Sequence, residues 1–464
     1  VGWWWLLLLF LPASLFLANR LSKHLGLLLA LFLTSYFLEG GGALPINLTL
    51  LFLLLAVFAF HRRQYRKGRY PLQRPGWGEA ALLLFTAFYL CTSLWADSTG
   101  SALFKAGRMA VTVILPYCLI RFGRLEQQEV SSFLQATLLI LWLNAMITVG
   151  GFLLQTSLPG TRFTLFSINP IGQSMVMIVG AGLFATALRY GKTLEQSPWL
   201  HSRPVLLTGL LGCLLALLSS GSRGPLAALF AVVALRFLLN LRRSPLRVLG
   251  TTVLVGLILG LVWGLWQDAL MERFFVFERF KDFDPKTLLE LQKTVDTNVL
   301  MANSTAVRFY IYAANFNLFL EYPLFGAGAA ASLAATFYKT YPHNMILELL
   351  AESGVVGLGL FLIFWWWWRQ ELGRRLREEP DEDLAGLRRG LAFTVLALLL
   401  AKQFSYDMTM HKDIFILAAL AVAKWRSEET VGHQRRDTTS MLRDADAGPQ
   451  PENAISKRDT TILG

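Results

Sequence analysis

The chain has 464 residues, 54% of them hydrophobic and only 16% charged, with a formal net charge of +12. A soluble domain carries about 25% charged residues, so an ordinary water-soluble fold is excluded for most of this length. The positive excess does not call for nucleic acid, because the basic runs are short and sit between apolar segments, where the positive-inside rule expects them.

Stretches of roughly 15–20 uncharged residues are about as long as a helix needs to cross hydrocarbon. In chain order they predict helices near 3–18, 25–38, 46–60, 79–96, 105–120, 131–154, 170–188, 204–219, 225–239, 248–266, 343–368, 390–405 and 411–424. The expected fold class is therefore all-α, a polytopic membrane bundle of about twelve spans. Segment 3–18 is short enough to lie in the interface instead. The first residues, Val1-Gly2-Trp3-Trp4-Trp5, lack the basic start and small-residue cleavage site of a secretory signal. Cys91, Cys118 and Cys213 lie in or beside apolar segments and read as small buried residues, with neither metal spacing nor a disulfide framework. Four regions follow: an N-terminal part of the bundle over 1–266, a long loop over 267–342, C-terminal helices over 343–424, and a polar tail over 425–464 expected to be disordered.

Arginine sets the orientation. Arg62, Arg63, Arg66, Lys67, Arg69 and Arg74 crowd one connector, Arg369, Arg374, Arg375, Arg377, Arg388 and Arg389 another, and Arg242, Arg243 and Arg247 a third. An even number of spans separates these connectors, so one assignment puts all of them in the cytoplasm. The same parity puts 97–104, 155–169, 219–224, 267–342 and 406–410 outside, and Trp365 to Trp368 at the inner water interface. Loops as long as 267–342 are rarely without function, and short helices packed over the outer mouth of the bundle are expected there.

Cations on the outer side oppose this bias, and each needs a reason. Arg223 lies in the tight turn Ser219-Ser220-Gly221-Ser222-Arg223-Gly224-Pro225, at the membrane edge where an ionised group is costly. Arg308 lies in the long loop, Arg162 precedes Asn169-Pro170, and Lys105 and Arg108 open the fifth segment. Guanidinium groups facing outward suit a phosphate or diphosphate, which they grip through paired hydrogen bonds. Snorkelling or a local ion pair is the plainer reading, above all for Lys105 and Arg108. Among the histidines, His24, His61 and His201 fall on cytoplasmic connectors and His433 in the tail, which leaves His343 and His411 able to face outward. A neutral imidazole at that surface can take a proton from a hydroxyl; a polar residue starting a membrane helix is the alternative. After His343-Asn344 come nine residues, Gly354, two more, and Gly357, a spacing that permits close helix approach. No outward cluster of Asp, Glu and His has the spacing of metal ligands.

His343-Asn344 with Gly354 and Gly357 resembles the signature of O-antigen ligases. Ser219 to Gly224 resembles the arginine-bearing turn of that superfamily, and Arg308 followed by Glu321-Tyr322-Pro323-Leu324-Phe325-Gly326-Ala327-Gly328 resembles the end of its large periplasmic loop. The pattern also has a leucine four places after the arginine, where this chain has Ala227, with Leu226 one place earlier. The resemblance implies a fold similar to the polyprenyl-phosphate glycosyltransferases (GT-C-like) in the bacterial inner membrane, with the active site facing the periplasm. It implies transfer of a polysaccharide from undecaprenyl diphosphate to a sugar hydroxyl of lipid A–core, with inversion, no cofactor and no metal. His343, Arg223 and Arg308 are then the catalytic residues, with Arg162, Asn344, Lys105 and Arg108 around diphosphate and acceptor, and with Asn344 or Glu348 orienting the base. An O-antigen polymerase uses the same donor but carries two sizeable arginine-rich external loops, whereas 155–169 is short. A protein-glycosylating relative is usually longer. A transporter or flippase needs charges or broken helices near the midplane, and Lys402 is the main residue of that kind here. A membrane scaffold would not need outward arginines around a histidine.

Overall fold

The computed structural model describes residues 24–35, 47–66, 73–123, 125–154, 170–190, 202–241, 304–335, 341–404 and 411–425. The expected segments at 3–18 and 248–266, the loop holding Arg162, the first part of the long loop and nearly all of the tail lie outside these residues. Where the described residues carry an expected apolar segment, they form a helix, and no strand forms among them. In chain order the helices are α1 (Leu25–Thr34), α2 (Leu48–Arg66), α3 (Trp77–Cys91), α4 (Thr99–Met109), α5 (Leu115–Phe122), α6 (Gln127–Leu154), α7 (Pro170–Tyr190), α8 (Arg203–Ser219) and α9 (Arg223–Leu241). They continue with α10 (Ser304–Glu321), the single turn α11 (Ala331–Ala334), α12 (Met345–Glu378), α13 (Glu382–Ala401) and α14 (Lys412–Val422). Among the described residues, six stretches are long and apolar enough to cross a membrane: Trp77–Leu94, Thr99–Phe122, Gln127–Leu154, Pro170–Tyr190, Met345–Glu378 and Glu382–Ala401. Leu25–Thr34, Arg203–Ser219 and Gly224–Arg236 are apolar but shorter. The protein is an all-α, multi-pass membrane protein.

Helix α14 is the centre of the bundle. Residues 413–423 are all buried, and α14 packs against α13, α12, α5 and α1. Its sequence, Asp413-Ile414-Phe415-Ile416-Leu417-Ala418-Ala419-Leu420-Ala421-Val422, is apolar on every side, as a helix surrounded by other helices must be. Helices α7 and α13 meet through small residues. A Cβ on Gly182 would stand 2.1 Å from Thr394 Oγ1, and one on Gly390 would stand 2.1 Å from Thr186 Oγ1. Each threonine hydroxyl donates to the glycine carbonyl of its own helix, at 2.7 Å for Thr186 and 3.0 Å for Thr394. The hydroxyls are thus satisfied without water, and the backbones approach closely. Between α4 and α5 the helix widens into a π turn at Ala110–Ile114. Pro116 offers no N–H to the preceding turn and crowds its carbonyl, a sufficient cause for the bulge.

Charged side chains sort to the two ends of the bundle. At one end Arg121 Nε lies 2.6 Å from Glu79 Oε1 and bonds Gln73, while Glu371 receives Arg374 at 2.6 Å and Arg375 at 2.8 Å. At the other end Lys105, from the start of α4, meets Glu348 and Glu352, from the start of α12. This is the grouping that alternating helix directions require. The part of α12 that follows its break at Gly354, 355–378, is about 36 Å long by itself, slightly more than the roughly 30 Å hydrocarbon thickness, and its arginines lie at its far end.

Candidate active site

The site begins with a break in α12. Gly354 has φ 63° and ψ −167°, a conformation open to glycine alone, and it cuts the helix into 345–353 and 355–378. The break frees backbone groups inside the protein, and the 322–328 segment pairs them. Ala327 N–H donates to Ala351 O at 2.9 Å and Gly328 N–H to Glu352 O at 3.1 Å. In return Val355 N–H donates to Pro323 O at 2.9 Å and Val356 N–H to Leu324 O at 3.2 Å. Non-helical backbone at membrane depth is tolerated only where protein satisfies it in this way. A Cβ on Gly354 would meet Leu324 O at 2.3 Å, and one on Gly326 would meet the Glu352 carbonyl carbon at 2.3 Å. The end of α3 holds the same segment: Trp95 Nε1–H donates to Gly326 O at 3.1 Å, and Ala329 N–H to Thr92 Oγ1 at 3.0 Å. In sequence the Gly354 spacing reads as a packing signal. Instead, Gly354 provides a backbone turn, while Gly357 is close-packed, with a Cβ there only 2.1 Å from Ser353 Oγ.

His343 stands at the start of the first half-helix with φ 53°, a left-handed conformation that a non-glycine residue rarely adopts. Buried Pro342 precedes it. Asn344 follows as the N-cap, its side-chain carbonyl accepting from Leu347 N–H at 2.9 Å. Asn344 was expected at the substrate; its side chain is placed as a helix cap.

Lys105 is also placed otherwise than expected. It is buried, with Nζ 2.5 Å from Glu348 Oε1 and 2.7 and 2.8 Å from the two oxygens of Glu352. Tyr89 OH donates to the same Glu352 carboxylate, and Ser332 N–H reaches it at 3.3 Å. Lys105 Nζ also lies 4.3 Å from the centre of the Tyr341 ring. The local ion pair thus describes Lys105 better than a phosphate contact does. Two carboxylates on one face of the half-helix, four residues apart, already compensate its charge.

One turn beyond Lys105, exposed Arg108 lines a cavity of about 600 Å³. Lys402, Lys412 and Asp413 stand in the same wall, with apolar Leu33, Leu103, Phe104 and Met175 around them. Lys402 Nζ is 3.6 Å from Asp413 Oδ2, and Lys412 donates to Phe32 O and Ser35 Oγ, both at 2.8 Å. A pocket with an apolar body and several cations fits an amphipathic molecule with an anionic head. Sequence reasoning noted Lys402 as an isolated charge in a span but gave it no part. It missed Lys412, Asp413, Glu352 and Tyr89, for which the signal was ionisable residues at the ends of otherwise apolar segments.

The arginines are less closely gathered. Arg223 begins α9 directly after the expected turn, where Gly221 has φ 64° and Ser220 Oγ lies 2.7 Å from Ser174 Oγ. Position 224 abuts Phe404, two residues from Lys402: a Cβ on Gly224 would be 2.5 Å from Phe404 Cβ. Arg308 is exposed on α10, which packs along α12. It sits roughly 20 Å along its helix from the 322–328 segment. Burial pushes the Tyr312 phenol up, and Arg308, one turn away, pulls against that. Arg162 lies outside the described residues. His411 is fully buried as the N-cap residue of α14, with no side-chain bond to that helix. Among the described residues no three His, Cys, Asp or Glu side chains converge as a metal site requires.

A family model described as O-antigen ligase matches residues 208–362. The matched stretch holds the Arg223 turn, Arg308, the 322–328 segment, His343 and Gly354, the same residues that carry the resemblance in sequence. Its members are glycosyltransferase-like membrane enzymes with polysaccharide and lipid-linked substrates. No curated protein matches the chain.

Proposed function

We propose that this O-antigen ligase-family protein transfers a polysaccharide from undecaprenyl diphosphate to a sugar hydroxyl of lipid A–core, on the periplasmic face of the inner membrane. The diphosphate enters the cavity lined by Arg108, Lys402 and Lys412, with the first units of its chain against the apolar wall. Arg223 and Arg308 close on it from the turn and the long loop. The acceptor hydroxyl approaches His343, whose neutral imidazole takes its proton. A bond forms from that oxygen to the anomeric carbon, the bond from that carbon to the diphosphate oxygen breaks, and configuration inverts. Cations around the departing diphosphate stabilise the charge it gains, usually the largest single contribution. A positioned base adds a factor of about 10²–10⁴.

One observation carries this reading. The Lys105 side chain touches Tyr341, two residues before His343, and Arg108, one turn along the same helix, lines the cation-bearing cavity. His343 and the cation-lined pocket therefore share one end of the bundle, which supports this reading. A polymerase uses the same donor, so the test must separate products. Lipopolysaccharide from cells lacking the protein should be naked core, with lipid-linked polymer accumulating. Core bearing a single repeat unit would make the protein a polymerase. Purified protein should transfer polymer from lipid-linked donor with a chelator present, and a requirement for added divalent cation would overturn the metal-free mechanism.

A further inference from the structure

The buried cluster around Lys105 is larger than an ion pair between two helices needs to be, and it lies on both sides of His343. Lys105 reaches Tyr341, two residues before the histidine, at 4.3 Å from the ring centre. It reaches Glu348, five residues after it, at 2.5 Å, and Glu352 at 2.7 Å. Lys105 is 3% exposed and both glutamates 0% exposed, so these contacts act without solvent screening. A cation over an aromatic ring in partly desolvated surroundings is attracted by the ring's negative face.

This hold has something to oppose. His343 is at φ 53°, a conformation unfavourable for a non-glycine residue and maintained only when the surroundings over-determine it. The half-helix that carries it is cut from the rest of α12 at Gly354, so the long helix cannot orient it. The 322–328 segment secures the half-helix at its far end, around 351–356. Near His343 one tie to the rest of the bundle is Lys105, and Arg108, one turn further along α4, lines the cavity.

We propose that Lys105 is a positioning residue, which holds the chain on both sides of His343 and so sets the imidazole against the cation-lined cavity. The inference rests on the reading of His343 as the base. It touches neither substrate nor reacting atoms, and its effect is on the geometry of proton transfer. A misplacement of about 1 Å from such a change typically costs 10²-fold in rate.

Removing Lys105 alone would strand two buried carboxylates and risks misfolding. The variant to use is Lys105→Met with Glu348→Gln and Glu352→Gln, which removes all three charges together. In protein lacking Cys91, Cys118 and Cys213, His343→Cys reports on position 343 through its rate of reaction with a soluble maleimide. The neutral triple variant should raise that rate several-fold while its thermal unfolding stays near that of the parent. In protein retaining His343, the same triple should lower kcat about 10²-fold with little change in KM for the lipid-linked donor. A folded triple with unchanged maleimide rate and full kcat overturns the proposal. If the triple fails to fold, Tyr341→Leu decides: it should raise the maleimide rate and lower kcat by a smaller amount, and no change in either overturns the two-sided hold. A raised maleimide rate in a protein that transfers nothing from lipid-linked donor, even unmutated, would leave Lys105 as the anchor of position 343 and sink the transferase reading instead.

Discussion

At His343 an imidazole, a group chemically able to accept a proton, stands on a left-handed backbone. His343→Ala should abolish or nearly abolish transfer while the protein still inserts and still binds lipid diphosphate. His411→Ala should keep most activity, because that residue is buried at the start of α14 and outside the matched stretch. Transfer assays across a pH series, with purified donor, compare the two; a fully active His343→Ala enzyme would remove the base from the mechanism. The cations make a separate prediction. Arg108→Ala with Lys402→Met should raise KM for the lipid-linked donor at least tenfold, the scale of losing about 1.4 kcal/mol of phosphate contact. Arg223→Lys keeps the charge but loses the two-pronged grip, and transfer should fall sharply with normal membrane insertion. Near-normal transfer by Arg223→Ala would show that this residue does not meet the diphosphate.

Among the elements, α12 separates what pattern reveals from what it hides. Its apolar run and the Asn344 cap are legible as a membrane helix that begins after Pro342. The break at Gly354 is not, because a glycine in an apolar run reads equally well as a packing surface. Only the returning 322–328 segment, with its hydrogen bonds to 351–356, makes the broken conformation the stable one. Gly354→Ala puts a Cβ into Leu324 O and forces a backbone conformation alanine avoids. It should destabilise the protein by about 3 kcal/mol or more and release the 322–328 segment. Gly359→Ala, on the same helix where a Cβ meets nothing within 4 Å, should be nearly neutral. Thermal unfolding and protease sensitivity near Glu321 distinguish them, and equal behaviour of the two variants would mean that the break is not required.

For the molecule as a whole, orientation follows from where arginine collects. The clusters at Arg62–Arg63 and at Arg374–Arg375 are expected in the cytoplasm, and the 304–342 region on the opposite face. In protein without its native cysteines, a cysteine at exposed Glu321 should react with an impermeant thiol reagent in cells whose outer membrane is permeabilised, and one at exposed Glu382 should not. The reverse pattern would invert the topology and remove the periplasmic reading of the site.

The sequence by itself determined the class of this protein, because apolar length and arginine asymmetry answer to the bilayer and need no knowledge of neighbours. It also determined where the described apolar helices run. Tertiary structure decided the partners. Lys105 looked like an outward cation because its compensating carboxylates, Glu348 and Glu352, lie more than two hundred residues away in sequence. Lys402 and Lys412 became parts of one cavity wall with Arg108 only when α4, α13 and α14 were brought together. A charge near a membrane takes its meaning from what compensates it, and along this chain the compensating groups are distant, whereas the helix-forming signal is local at every position.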